Sequence, residues 1–282
     1  MSEGWFEEKL FPHVRQTFEI TRILFRLRTE HQDLVIFETP TYGRVLALDD
    51  IIQVTEKDEF VYHEMMTHVP ILAHGKARRV LIIGGGDGGI LREALKHRVE
   101  RVTMVEIDRG VVDMCLEHMP SIPGKAFSDK RTDLVIADGA KYVAETPDRF
   151  DVIIVDSTDP MGPGEVLFTE AFYKNCKRIL TDGGILVNQN GVPFMQPSEI
   201  PMTWKRRRKF FADAGFYIAA VPSYYGGFMT LGWASSNPKA RAVPPATLAK
   251  RFAAAKLKTR YYTPAIHAAA FALPRFVESL IK

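Results

Sequence analysis

The sequence predicts an α/β fold in which a mostly parallel β-sheet is covered by helices and preceded by a small antiparallel β domain. One observation is the order of elements from Arg79 onward, where short apolar runs alternate with helical patterns. A second is residues 80–89, where an apolar β-branched run stops in five glycines before a helical pattern. Strand, glycine turn and helix in this order are typical of the first βαβ unit of a Rossmann-like nucleotide-binding sheet.

The N-terminal domain is predicted from strand-like runs that lie close together before residue 55. Their β-branched and apolar side chains, separated by turn residues, favour an antiparallel sheet with short connections. We therefore place an N-terminal β-strand domain at residues 1–54 and a catalytic domain with C-terminal helices at residues 55–282. The strand-like runs are residues 18–27, 33–37, 44–48 and 51–54.

The second domain is predicted to begin with a helix, because Thr55 to Asp58 match a capping box and apolar side chains follow at helical spacing. Pro70 and Gly75 are expected to help end this helix. Five later runs predict parallel strands, and two more, joined by Tyr-Tyr-Gly-Gly, predict an antiparallel hairpin at the sheet edge. From Thr247 the tail predicts two helices that pack back on the domain. The seven strand runs are residues 80–83, 101–105, 134–136, 151–155, 185–188, 216–221 and 228–234.

Composition restricts the class of protein and its partners. Hydrophobic residues make up 46% and charged residues 25%, which is ordinary for a globular protein, and no apolar run approaches the roughly 18–20 residues of a membrane span. The acidic N-terminus lacks the profile of a signal peptide, and only Cys115 and Cys176 are present, so we expect a cytoplasmic protein without disulfides. The net charge of +3 is too small to argue for nucleic acid. The basic cluster at residues 205–209 is interpreted as a solvated helix face, in preference to a phosphate-binding patch.

Acidic side chains follow several predicted parallel strands. Glu106, Asp138 and Asp156 stand directly after an apolar run or one residue beyond it, and Asp87 lies within the glycine turn. Ligands of open α/β sheets bind at the carboxyl ends of the strands, so these residues predict an anionic crevice. Because Asp87 would repel a pyrophosphate on the loop amides, the loop is expected to hold an uncharged or cationic group.

The spacing of these acids suggests individual roles. Glu106 falls 22 residues after the first glycine of the loop, near the position where such sites bind ribose hydroxyls. Asp138 can accept a hydrogen bond from an adenine amino group while Gly139 lets the base approach, although a plain Asp-Gly turn is the alternative. Asp156 and Asp159 lie three residues apart in a loop stiffened by prolines, and a simple turn explains only one of them.

Crowded carboxylates require cations as partners, either metal ions or a cationic substrate. No His-x-x-His or Asp-x-Asp spacing accompanies them, so no metal site is predicted and an organic polycation is favoured. Tyr62, His63 and Tyr224 supply ring faces and hydroxyls that suit an alkyl diamine, whose middle is apolar and whose ends are charged. For each tyrosine alone, a place in the core is an equal alternative.

Taken together, these residues resemble the spermidine synthase family, the aminopropyltransferases, over nearly the whole chain. The glycine loop, the Asp-x-x-Asp-Pro-x-Gly-Pro run and the Thr-Glu-x-Asp-Glu-Phe segment in one order form a specific signature. The matching segments are residues 4–6, 31–33, 53–60, 62–65, 84–89, 106–108, 156–165, 222–224 and 260–262.

The resemblance implies transfer of the aminopropyl group of decarboxylated S-adenosylmethionine to putrescine, giving spermidine and methylthioadenosine. It also implies a sheet of the methyltransferase type, no prosthetic group, a homodimer, and no nucleic-acid or membrane partner. By the family pattern, the catalytic base would be Asp156. The nucleoside would be held by Gln32, Glu106, Asp138, Gly139 and Pro163, and the aminopropyl amine by Asp87. The remaining residues that would bind the substrates are Tyr62, His63, Asp159, Gln189 and Tyr224.

The sequence departs from the family pattern at two places. Many relatives have a second acid where this chain has Ala137, which bears on the adenine contact, and residues 121–132 are idiosyncratic. Neither departure falls on a residue with an assigned role.

A charge argument concerns the choice of donor. The carboxylate of intact S-adenosylmethionine would fall near Asp87, and two like charges about 4 Å apart repel by about 4 kcal/mol at an effective dielectric constant of 20. We therefore expect the loop to reject the methyl donor.

Three alternatives remain open at this point. One is a putrescine N-methyltransferase that uses S-adenosylmethionine, and another is an aminopropyltransferase with a different amine acceptor, such as cadaverine or spermidine. The third is a non-catalytic polyamine-binding protein. A nicotinamide-dependent oxidoreductase matches the glycines but not Asp87.

Overall fold

The computed structural model describes residues 4–158 and 162–282, and its N-terminal part is an antiparallel β structure. A two-stranded sheet precedes a four-stranded antiparallel sheet in which the strands lie in sequence order. This confirms the predicted small antiparallel β region. The strands are β1 (Gly4–Glu8) and β2 (Gln16–Ile20), then β3 (Arg22–Arg28), β4 (Asp33–Thr39), β5 (Gly43–Leu48) and β6 (Ile51–Thr55).

The predicted run at residues 18–27 is two strands, not one, so that expectation was wrong. The chain changes partner at Thr21: β2 pairs with β1, whereas β3 pairs with β4. β1 itself was missed, because its acidic and glycine residues hide an alternation in which Phe6 and Glu8 face inward.

Within the part of the chain that the structure describes, the main sheet has seven strands in the order β12-β13-β11-β10-β7-β8-β9, which confirms the predicted mostly parallel sheet. β7 to β11 run parallel, and β12 and β13 form the antiparallel hairpin. The second hairpin strand inserts between β11 and β12, an order that the sequence does not reveal. The strands are β7 (Arg79–Gly84), β8 (Arg101–Glu106), β9 (Thr132–Ile136), β10 (Phe150–Asp156), β11 (Leu180–Gln189), β12 (Asp213–Ala219) and β13 (Met229–Ser235).

Helices lie on both faces of this sheet and at the C-terminal end. None of those within residues 4–158 and 162–282 is long and apolar enough to cross a membrane. The tail contains α7, α8 and the short α9, one helix more than expected. The helices are α1 (Glu59–His74), α2 (Gly89–Leu95), α3 (Arg109–His118), α4 (Gly139–Glu145), α5 (Glu170–Ile179), α6 (Glu199–Arg207), α7 (Pro245–Ala255), α8 (Pro264–Ala270) and α9 (Arg275–Glu278).

The beginning and end of α1 differ from the predicted ones. The Asp58 side chain does not cap the helix, because it accepts hydrogen bonds from the Thr55 hydroxyl at 2.6 Å and the Ser223 amide at 2.7 Å. Pro70 lies inside the helix and does not end it, whereas Gly75, in the left-handed conformation, does. The capping-box prediction was therefore wrong, and its residues instead connect α1 to the segment after β12.

The core explains why the parallel strands read as continuous apolar runs. Along β7, Val80 and Ile82 pack toward α1, while Leu81 and Ile83 pack toward α5 on the other face. A third cluster joins β4 and β5 to α3. Because it packs the four-stranded sheet against the helix that follows β8, this cluster brings the N-terminal strands to the carboxyl edge of the main sheet.

The basic cluster of α6 is only partly a solvated face. Lys205, Arg208 and Lys209 are exposed, but Arg207 is fully buried. Its guanidinium donates to the Asn188 Oδ1 at 2.8 Å and lies 4.6 Å from the ring centroid of Phe216. The interpretation as a solvated face was therefore wrong for this residue, which ties α6 to the end of β11.

Candidate active site

A cavity of about 410 Å³ lies at the carboxyl ends of β7, β8, β10 and β11, with side chains of the N-terminal strands on its opposite wall. The fold therefore brings together residues as far apart in the sequence as Glu8 and Met229. Asp159 lies outside the described residues, and Pro163 falls in the short 3₁₀ helix Gly162–Phe168. The predicted site residues that line the cavity are Gln32, Tyr62, His63, Asp87, Glu106, Asp138, Gly139, Asp156, Gln189 and Tyr224.

Asp156 ends β10, and its carboxylate is held by a tyrosine from the N-terminal helix of the domain. The Tyr62 hydroxyl donates to the Asp156 Oδ1 at 2.6 Å. Burial and the nearby negative charge of Asp87 raise the pKa of Asp156 to about 6, although the Tyr62 hydrogen bond and His63 act in the opposite direction. A carboxylate with a pKa near neutrality accepts a proton more readily than an ordinary aspartate.

Two tyrosines border the region next to Asp156. The ring centroids of Tyr62 and Tyr224 are 6.1 Å apart at an interplanar angle of 76°, and the Tyr224 hydroxyl donates to the carbonyl of Gln53. Both therefore line a cavity and are not simply core residues. Gln189 ends β11 on the same wall.

The first glycine of the loop is required by the approach of two strand ends. Gly84 has φ of +79°, and a Cβ there would lie 2.0 Å from the backbone oxygen of Asp156. No side chain fits in that space, since the obstructing atom belongs to the backbone of a neighbouring strand. Gly84 thus allows the end of β7 and the glycine loop to lie directly beside Asp156.

Asp87 is paired, which the sequence did not indicate. Its Oδ1 accepts a hydrogen bond from the Gly89 amide at 2.6 Å, and its Oδ2 lies 3.4 Å from the Nε2 of His63. Burial alone would lower the pKa of His63, but the interactions with Asp87 and Glu59 raise it to about 10. His63 is therefore a cation at neutral pH, and the repulsion worked out for an isolated Asp87 is partly offset.

On the other side of the glycine loop, Glu106 ends β8 as a buried carboxyl group. Burial raises its pKa to about 7, against the effect of a hydrogen bond from the Asp108 amide at 2.9 Å. Gln32 reaches this corner from the N-terminal sheet, where its Nε2 donates to the Asp108 Oδ2 at 2.9 Å. The hydroxyl of Thr29 donates to the same oxygen at 2.7 Å.

Asp138 is both a turn residue and a residue of the cavity wall, the two alternatives that the sequence left open. Its Oδ1 accepts from the Lys141 amide at 3.0 Å and caps α4, as a turn residue would, yet the residue is exposed and lines the cavity. Gly139 packs against Ile83, since a Cβ there would lie 2.4 Å from its Cγ2 atom. The glycine thus serves close packing of α4 on β7 at the cavity wall.

Several cavity residues were missed by reasoning from the sequence. Glu8 is buried, accepts from the Ile52 amide at 2.8 Å and lines the cavity from β1. Gln53 and Tyr225 line the same region. The only signal for Glu8 was its position beside the matching segment at residues 4–6, because an acid in a short edge strand carries no local pattern of function.

Asp108 was also missed, although it follows Glu106 in a matching segment. It caps α3 through the Gly110 amide and accepts from Thr29 and Gln32, so it ties the N-terminal sheet to the segment between β8 and α3. Among the described residues, no group of three or more His, Cys, Asp or Glu side chains could hold a metal ion.

Comparison with known protein families identifies the arrangement. The spermine/spermidine synthase domain matches residues 59–243, and the spermidine synthase tetramerisation domain matches residues 4–56. The chain belongs to the spermine/spermidine synthase family. It is accordingly a transferase of polyamine biosynthesis, an aminopropyltransferase, and the tetramerisation domain indicates an oligomer.

Relatives match over almost the full length. A polyamine aminopropyltransferase of a Ruegeria species is 57% identical over 279 residues, which cover 99% of this chain and 98% of the relative. Polyamine aminopropyltransferase 1 of Pseudomonas aeruginosa is 59% identical over 273 residues, 96% of each chain.

Solved structures of the family agree with the fold. A spermidine synthase in complex with the transition-state analogue AdoDATO superposes with a TM-score of 0.94 at 36% identity, covering 100% of this chain and 96% of the other. The spermidine synthase of Thermotoga maritima gives a TM-score of 0.91 at 34% identity, covering 100% and 95%.

Proposed function

We propose that this aminopropyltransferase moves the aminopropyl group of decarboxylated S-adenosylmethionine to putrescine, giving spermidine and 5′-methylthioadenosine. The observation that carries the proposal is the pair of carboxylates at the ends of β7 and β10, Asp87 and Asp156, in one cavity with Tyr62 and Tyr224. A diamine and an aminopropyl sulfonium are cations that suit such a cavity. The relative with AdoDATO supports the same choice of donor, since that compound is described as a transition-state analogue of a spermidine synthase.

The reaction is a displacement at carbon. A nitrogen of the diamine forms a bond to the propyl carbon attached to sulfur, the bond between that carbon and sulfur breaks, and its electron pair stays on sulfur, which becomes the neutral thioether of methylthioadenosine. The sulfonium already activates the carbon, so no acid catalyst is needed. The difficulty lies in the nucleophile, because an alkyl ammonium with a pKa near 10.4 must first lose a proton.

Asp156 is proposed as the base that accepts this proton. Burial and Asp87 raise the pKa of Asp156 from 3.8 to about 6. The pKa gap to the ammonium shrinks by about 2 units, which makes the proton transfer roughly 3 kcal/mol less unfavourable. Tyr62 keeps the accepting carboxylate in place through its hydrogen bond to Oδ1.

The remaining roles follow from position. We propose that Glu106 binds the ribose hydroxyls, that Gln32, Asp138, Gly139 and Pro163 hold the nucleoside, and that Asp87 binds the aminopropyl amine. Tyr62, His63, Asp159, Gln189 and Tyr224 would border the path of the diamine. The buried carboxyl of Glu106 gains hydrogen-bond donors when it accepts two hydroxyls, which offsets its desolvation.

The assembly and location are further proposals. We propose a homodimer as the basic oligomer, because twofold symmetry is the commonest in soluble oligomers. A cytoplasmic location fits two free, buried cysteines. We keep a domain boundary between residues 54 and 55, next to the end of β6 at Thr55 and ahead of α1.

The decisive experiment is a product assay. The purified protein is offered decarboxylated or intact S-adenosylmethionine with a series of diamines and with spermidine, and the products are separated by mass. Spermidine formed from putrescine and the decarboxylated donor supports the proposal. Methylated putrescine without spermidine would establish an N-methyltransferase, and preference for another amine would replace putrescine as the acceptor.

A further inference from the structure

A line of paired charges runs from Asp87 and His63 at the cavity wall into the protein, to Glu59 and Arg92. The Nε2 of His63 lies 3.4 Å from the Asp87 Oδ2, and its Nδ1 lies 2.6 Å from the Glu59 Oε2. The same Glu59 oxygen lies 2.8 Å from the Nη2 of Arg92. Among the described residues, Glu59 does not line the cavity, and its contact toward the cavity is with His63.

His63 and Glu59 are the buried members of this line, whereas the side chains of Asp87 and Arg92 are 13% and 20% exposed. The side chain of His63 is 2% exposed and that of Glu59 is 9% exposed. In such surroundings a ring nitrogen without a partner costs free energy, and an imidazolium needs an acceptor at each nitrogen. Glu59 and Asp87 supply these two acceptors, which fixes the orientation of the ring and its charge.

The packing around the ring shows that the fold makes room for it. A Cβ at position 89 would lie 2.1 Å from the Cε1 of His63. The last glycine of the loop is therefore required by contact with this imidazole. The same residue donates its amide to the Asp87 Oδ1 at 2.6 Å, so both oxygens of that carboxylate have a partner.

We infer that Glu59 is a positioning residue for the aminopropyl donor: through His63 it holds the Asp87 carboxylate in the orientation that receives the donor amine. The inference rests on the proposed function, in which Asp87 binds that amine. His63 then acts on the donor side of the site, as the partner of Asp87, and does not use its ring nitrogens to bind the diamine. Arg92 keeps Glu59 directed at the ring.

The test compares Glu59→Gln with Glu64→Gln. Glu64 lies on the same helix and is buried, but it accepts from the backbone amides of residues 260–262 and not from the cavity. We expect Glu59→Gln to raise the KM for decarboxylated donor about tenfold or more, the scale of replacing a charged hydrogen-bond acceptor by a neutral one. The KM for the diamine should stay within about twofold of the wild-type value, and Glu64→Gln should change neither KM.

A binding measurement separates this inference from the proposed function. Calorimetry on each variant uses decarboxylated S-adenosylmethionine and, as a matched ligand, 5′-methylthioadenosine, which lacks the amine. Glu59→Gln should weaken the binding of decarboxylated S-adenosylmethionine and leave the binding of 5′-methylthioadenosine unchanged. If wild-type protein makes no spermidine, the proposed function fails; if it does and Glu59→Gln weakens both ligands equally or neither, the inference fails.

A double-mutant cycle provides the second criterion. In a His63→Gln background, Glu59→Gln should have no further effect on the KM for the donor, because its route to Asp87 is already broken. Additive effects would overturn the inference. If Glu59→Gln does not fold, Glu59→Asp keeps the charge and shortens the reach; an unchanged donor KM in that variant would also overturn it.

Discussion

Replacing Asp156 by Asn removes the proposed proton acceptor while it preserves most of the geometry. An amide has nearly the volume of a carboxylate, and its oxygen can still accept the hydrogen bond from the Tyr62 hydroxyl that the carboxylate accepts at 2.6 Å. It cannot accept the proton of an ammonium group. The substitution therefore tests the chemistry of one atom with little change in packing.

The magnitude follows from the role of a general base. Positioned acid–base groups contribute about 10²–10⁴ in rate, so kcat should fall by at least about 10². The shift of the Asp156 pKa to about 6 supports a value well inside this range, because the proton transfer is easier than to an ordinary aspartate. The KM for the decarboxylated donor should change less than kcat, since Asp87, Glu106 and the glycine loop are intact.

The assay is the pH dependence of kcat/KM for aminopropyl transfer. In the wild-type enzyme kcat/KM should fall below about pH 6, where Asp156 becomes protonated. This acid limb of the pH profile should be absent in Asp156→Asn. Tyr62→Phe is the control: it keeps the charge but removes a hydrogen bond that lowers the pKa, so the limb should move to higher pH. A kcat within about tenfold of wild type, or an unchanged acid limb, would refute the role of Asp156.

Two further predictions concern stability. The folded pKa of Glu106 is raised from 4.5 to about 7, so the native state holds this proton more tightly and loses stability as the pH rises through that interval. Glu106→Gln should therefore raise the free energy of unfolding at pH 8 by about 3 kcal/mol but have little effect near pH 4, as measured by urea unfolding; an equal change at both pH values would contradict this. Gly84→Ala should cost more than about 3 kcal/mol and abolish activity, because its Cβ would lie 2.0 Å from a backbone oxygen. Gly124→Ala, at φ of +56° with no atom within 4 Å, is the control and should cost only about 1 kcal/mol; a similar loss in both variants would show that strain in φ, not contact with β10, governs Gly84.

The glycine loop and the acids after the strands were predictable because each is local in sequence. A strand must end before a tight turn, and parallel strands present their carboxyl ends at one edge, so the sequence alone places Asp87, Glu106 and Asp156 together. The same logic gave the seven strands and the edge hairpin. Periodicity fixes which residues face a neighbour, and it does so over short windows.

Other features depended on partners far away in the chain. The Thr55-to-Asp58 match to a capping box was misleading, because the Asp58 carboxylate accepts hydrogen bonds from the Thr55 hydroxyl and the Ser223 amide instead of capping α1. Arg207 appeared as one of a row of surface cations, yet Asn188 and an aromatic ring surround it. A local pattern carries no information about a partner that approaches from another element.

The amino-acid sequence by itself determined the alternation of strands and helices from Arg79 onward, the place of the glycine loop and the acidic character of the cavity, because hydrophobic period and turn residues act over a few positions. The tertiary structure alone decided that Asp87 stands beside a charged imidazole, that Glu8 reaches the cavity from β1, and that Asp156 titrates near neutrality. These properties arise from burial and from charged residues that the fold brings close together from distant parts of the chain. In a low-dielectric interior such neighbours change both the pKa and the orientation of a side chain.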